Sequence, residues 1–156
     1  MTARPPIRAA CFVTPHGFGH AARACAVMGA VHDLAPQSFF DVYPRVPEAF
    51  FQESLSGPFA WHDCLSDIGI AQDGPLEPDL EETVRRLDRF LPLDPGLVRG
   101  LAREIGDRGS TLVLCDIAPL GIAVAREAGI PSVLLENFTW DWIYAGYPGV
   151  QGLERH

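Results

Sequence analysis

"STLVLCDIAPLGIAVAREAGIPSVLLENF", residues 110–138, carries three segments of different character. Residues 110–116, STLVLCD, are apolar and β-branched without polar alternation, the pattern of a strand buried on both faces. Residues 119–129, PLGIAVAREAG, place a proline at the start and a glycine just past the end of a predicted helix. Residues 130–138, IPSVLLENF, return to a strand. A helix between two such strands requires parallel pairing and a right-handed crossover.

The same grammar extends outward. RAACFVT (8–14) reads as a short buried strand that runs into a bend at Pro15–Gly19, and His20 to about Leu34 as an alanine-rich helix. SFFDVYPRV (38–46) is predicted as a second strand, PEAFFQESL (47–55) as a short helix and PFAWHDC (58–64) as a third strand. A loop leads to a helix near Pro78–Leu91, and another helix follows from Asp94, its predicted cap, to Arg108, closed by Gly109. The succession predicts an α/β fold: a doubly wound, mostly parallel Rossmann-like sheet with helices on both faces.

Composition sets limits on function. A chain of 156 residues suits one domain, 1–156. It buries roughly 70% of its unfolded surface, so no staple is needed. The net charge of −8 argues against nucleic acid or an anionic membrane as partner. No apolar run reaches the ~20 residues of a membrane span, and MTARPPIRAA has a proline pair where a signal peptide needs apolar residues, so the expected setting is cytoplasmic. There is no lysine, so any phosphate clamp must use arginine or backbone. Between Asp63 and Asp94 nine acidic residues face three arginines, which reads as solvated surface. Cys11, Cys25, Cys64 and Cys115 lack metal spacing and are expected to be reduced and mostly buried.

In a doubly wound sheet, ligands bind at the carboxyl ends of the strands where the order reverses. If the strand order is 3-2-1-4-5, the loop after the first strand faces the loop after the fourth, bringing His16 and His20 toward Asp116. A carboxylate on one imidazole nitrogen fixes the tautomer and makes the other a better base. The start of the helix near His20 offers free N–H groups and a positive dipole end suited to phosphate, with Gly17, Phe18 and Gly19 at the bend and Arg23 in the first turn. Asn137, Thr139 and Trp140 follow the fifth strand on the same edge. His32 and His62 are read as structural. Phe138, Trp140, Trp142, Tyr144 and Tyr147 are read as packing before sugar platform, and Glu136 as buried in the last strand.

HGFGHAARA (16–24) together with CDIAPLGIAVAREAGIPSVLLENFTWDWIYAGY (115–147) resembles the amino-terminal half of GT-B glycosyltransferases. The likeness is to bacterial glycosyltransferase-like proteins related to the amino-terminal region of plant arabinokinases, and more distantly to the GlcNAc transferase that forms lipid II. It covers residues 8–35 and 110–147, with NFTWDWIY its specific part. The resemblance implies an acceptor-side domain, with a carboxyl-terminal donor-binding domain absent from this chain and supplied by further sequence or a separate subunit. It implies sugar transfer from a nucleotide-sugar donor, acting as substrate and not cofactor, to a hydroxyl of a small-molecule sugar acceptor. It further implies no metal, a base at His20 or His16, and Asp116 as its partner. The isolated chain is expected to lack turnover.

Three rivals share these residues. GFGHAA (17–22) satisfies a dinucleotide-binding G-x-G-x-x-A, but the second strand ends in YPRV, with Arg45 where NAD recognition wants an acid. A metal hydrolase on His16, His20 and Asp116 is disfavoured by Gly17 and Gly19, which argue against a helix there. A non-catalytic nucleotide- or sugar-binding module would use the same loop.

Overall fold

The computed structural model describes residues 6–150 and 152–153. The MTARP opening, on which the argument against a signal peptide draws, lies outside the described residues. Five parallel strands form one sheet: β1 (Arg8–Val13), β2 (Phe39–Tyr43), β3 (Phe59–Trp61), β4 (Leu112–Asp116) and β5 (Ser132–Leu135), in the order β3-β2-β1-β4-β5. The doubly wound order is therefore the expected one. β1, central in the sheet, is apolar and almost wholly buried because it is covered on both faces.

Helices α1 (Phe18–Leu34) and α2 (Glu48–Ser54) cover one face; α4 (Pro95–Asp107) and α5 (Pro119–Ala128) cover the other. α1 buries Ala21, Ala24, Cys25, Met28 and His32, spaced as one helical stripe, and the small side chains set its backbone close to β1. α5 lies close to the sheet on the opposite face. A Cβ at Gly121 would stand 2.8 Å from Cys115 Sγ and 2.9 Å from Phe12 Cβ, so glycine alone fits. α5 starts with proline and ends at Gly129 in the left-handed conformation, as its sequence predicts.

α3 (Leu80–Phe90) and α6 (Trp140–Ala145) form a smaller apolar cluster at the carboxyl end of the sheet. α3 is capped by Asp79, whose side chain accepts from Glu82 N–H, and α4 by Asp94, which accepts from Gly96 N–H.

The boundaries differ from the sequence reading in physically simple ways. α1 starts at Phe18, not His20, because Gly17 takes φ 95° as its N-cap and lets the turn close early. β5 is four residues long and exposed along Ser132–Leu134, where the sheet has an open edge; Glu136 lies beyond it and is exposed, not buried. α6 occupies residues read from sequence only as an aromatic group.

The cysteines are free, three buried and Cys64 half-buried. His32 packs edge-on to Phe40 and bonds the Ser38 carbonyl oxygen, while His62 meets buried Asp41, which also takes Arg8 and Arg108. Both histidines are thus held by partners within the protein. Among the described residues no helix is long and apolar enough to cross a membrane.

Candidate functional site

β1 and β4 pair in register from Ala9 with Leu112 to Val13 with Asp116, and Thr14 N–H donates to the Asp116 carbonyl at 3.1 Å. This places the start of α1 directly beside the β4–α5 turn. Ile117, the next residue, has φ 47°, a left-handed conformation that is costly for a β-branched side chain. The turn it makes holds Asp116 at the strand end with no exposure to solvent.

His20 Nδ1 lies 2.7 Å from Asp116 Oδ1. A carboxylate has no proton to give, so Nδ1 carries the hydrogen and Nε2 is left as the acceptor and base. Arg23, one helical turn on, grips the same carboxylate with Nε on Oδ2 at 2.8 Å and a terminal nitrogen on Oδ1 at 2.7 Å. That terminal nitrogen is 3.2 Å from His20 Nδ1, a contact between two donors once Nδ1 is protonated. Burial pushes the Asp116 carboxyl up, but the hydrogen bonds from Arg23 and His20 outweigh it and hold the group below its ordinary value. Arg23 also donates to Asn137 Oδ1 at 2.8 Å and to the Leu135 carbonyl at 3.3 Å, tying α1 to the ends of β4 and β5. Its guanidinium is engaged by protein, where the sequence reading placed it toward phosphate.

The two histidines separate. His16 precedes the helix and does not reach Asp116; it packs edge-on to Trp140, ring centroids 5.0 Å apart, and beside Gly69. Burial and then the neighbouring His20 lower its pKa. His20 packs edge-on to Phe138 at 6.0 Å. Gly17 and Gly19 border open space: a Cβ on either would meet nothing within 4 Å. Phe18 is 60% exposed and leans on Phe50. Thr139 is the N-cap of α6 and makes no side-chain capping bond. Of the aromatic group, Trp140, Tyr144 and Tyr147 pack inward, whereas Trp142 is 68% exposed. Among the described residues, no three of His, Cys, Asp and Glu converge as metal ligands.

Sequence reasoning missed Asp67. It lies in the stretch read as solvated surface, yet it is 1% exposed. Its loop is stitched beneath the site: Ser66 hydroxyl donates to the Val13 carbonyl at 2.9 Å, and Tyr144 hydroxyl to the Gly69 carbonyl at 2.9 Å. Burial pushes the Asp67 carboxyl up to about 6, against the pull of the Thr14 hydroxyl and the Trp140 indole. Both lie beside it without closing a hydrogen bond of good geometry. The available signal was the pair Ile68 and Ile70, apolar residues that mark this loop as packed. Asp67 lines a mostly apolar cavity of about 250 Å³ between α3, α6 and the β4–α5 turn.

No family model matches the chain. Over 140 residues it is 29% identical to L-arabinokinase of Arabidopsis thaliana, covering 88% of this chain and 13% of that protein. Among solved structures it is similar to a UGT transferase of Siraitia grosvenorii in complex with UDP. The TM-score is 0.51, the identity 13%, and the match covers 83% of this chain and 28% of that one. The chain thus spans a small part of both proteins. At such identity the second likeness is one of fold alone, the Rossmann-like α/β fold of one GT-B half.

Proposed function

We propose that this chain is the acceptor-side domain of a GT-B glycosyltransferase, in which His20 takes the proton from an acceptor hydroxyl as that oxygen attacks a nucleotide-sugar. The observation that carries the reading is the 2.7 Å contact between His20 Nδ1 and Asp116 Oδ1, which leaves Nε2 as the base. General-base assistance of this kind is worth roughly 10² to 10⁴ in rate. Asp116 stabilises the imidazolium formed in the step, and Arg23 with Asn137 fixes Asp116. The open space in front of Gly17 and Gly19 admits the acceptor, and the free N–H groups at the start of α1 suit a phosphate. The acceptor oxygen bonds to the sugar carbon as that carbon's bond to the donor phosphate breaks and the nucleoside diphosphate leaves, so direct attack gives inversion there.

The donor side belongs to a second domain, in the same polypeptide or a separate subunit. No metal or cofactor enters the step. Four free thiols suit a reducing compartment such as the cytoplasm.

The test is turnover with UDP- and GDP-sugars in an assembly that supplies a donor-binding half. His20→Ala should abolish product and spare acceptor binding, and the 156-residue chain alone should give none. Full activity in His20→Ala would end the proposal.

One observation favours a second reading, a non-catalytic sugar- or nucleotide-binding module. Arg23 already neutralises Asp116, which leaves that carboxylate less able to support a positive imidazole. Under this reading ligand binding persists and no assembly yields product.

A further inference from the structure

A cleft of about 580 Å³ opens beside the bend after β1, lined by Pro15, His16, Arg45, Arg86, Arg89 and apolar residues of the loop 65–71 and α3. No carboxylate lines it, although the protein has a net charge of −8. Its three guanidiniums come from distant positions: Arg45 follows β2, while Arg86 and Arg89 stand on the last turns of α3. Arg45 meets Asp63 through Nε at 3.4 Å, and Arg86 meets Glu82 through Nε at 2.8 Å. In both, the two terminal nitrogens have no hydrogen bond among the described residues, and Arg89 has neither hydrogen bond nor ion pair there. Three arginine side chains thus keep donors free around one opening.

We infer that this cleft binds the phosphoryl group of a small molecule, held by Arg45, Arg86 and Arg89 beside His16. A carboxylate has two oxygens and satisfies one guanidinium fork; a phosphoryl dianion has three and serves several. The neighbouring cavity offers an anion no such donors, being mostly apolar and lined by Asp67, Glu136 and Asp141 with no cation. Ile68 and Phe90 line both, so the two adjoin. An anion is held on the arginine side and excluded from the other. The phosphoryl group has two possible sources, a phosphorylated acceptor or the diphosphate of a donor. The assignment deepens the acceptor-side reading, but it is read as binding by this chain, without turnover.

The experiment is calorimetric titration of the chain with inorganic pyrophosphate at fixed ionic strength, followed by glucose 6-phosphate and UDP. Pyrophosphate should bind, with Arg89→Ala and Arg45→Ala each weakening it tenfold or more, and with exposed Arg103→Ala on α4 leaving affinity within twofold. These arginines are exposed, so the variants fold, which circular dichroism verifies. Tighter binding of glucose 6-phosphate than of UDP assigns the site to the acceptor; the reverse assigns it to the donor; both sustain the proposal. Absence of pyrophosphate binding, or affinity equal in Arg89→Ala, Arg45→Ala and the parent, overturns it. His20→Ala should leave this binding intact, which separates failure of the anion site from failure of the catalytic reading.

Discussion

Asp116 and His20, 96 residues apart in the chain, are joined Oδ1 to Nδ1 at 2.7 Å because β1 and β4 end level with each other. The contact dictates a tautomer. Nitrogen-15 correlation spectra of the neutral His20 ring should show the hydrogen on Nδ1. Asp116→Asn should let the ring populate both forms and lower any transfer rate by about 10² to 10⁴.

Arg23 grips both oxygens of Asp116, and that geometry belongs to a planar fork. Arg23→Lys should therefore behave almost as Arg23→Ala, with a lower urea midpoint corresponding to about 1 kcal/mol, since the side chain is partly exposed. Recovery of full stability by lysine would show that charge alone suffices.

Asp116 and Asp67 respond to pH in opposite senses. The Asp116 carboxyl sits below its ordinary value, so its stabilisation is present at neutral pH and is lost as pH falls through the folded-state value. Asp67 is raised to about 6. Its folded form holds a proton that the unfolded chain releases near pH 4, so stability falls as pH rises from about 4 to 6 and stays lower above. Asp67→Asn should stabilise the protein by about 2 to 3 kcal/mol at pH 7.5 and by little at pH 4. Urea midpoints at the two pH values check the difference, and an equal shift at both would contradict the burial argument.

Gly121→Ala presses a methyl into Cys115 and Phe12 on the packed face of the sheet. Both neighbours are buried and held by backbone on either side. A loss of about 1 to 3 kcal/mol is expected, read as a lower thermal midpoint.

Much of this architecture was written locally. Pro119 and Gly129 bracket α5, and the apolar runs at 8–13 and 112–116 mark the central strands, while the order 3-2-1-4-5 was one assumed for a doubly wound sheet and is the one observed. His20 and Asp116 followed from that order. What escaped depends on distant docking. Asp67 sits in a polar-looking loop that becomes interior only when Ser66 and Gly69 are tied to β1 and α6. Arg45 and Arg89 share a cleft only because α3 lies across the sheet end. The aromatic run after Thr139 hid α6, since its six residues have composition but too little length for a period.

Gly19 bears on how damage to this protein is detected. A methyl added there would meet no atom beyond its own stretch of helix within 4 Å, so for Gly19→Ala melting curves, expression level and protease resistance should all look normal. Yet it would stand in open space at the residue next to His20 in the chain. Screens that rank variants by folding will pass over this residue, and only a ligand or a product will reveal it.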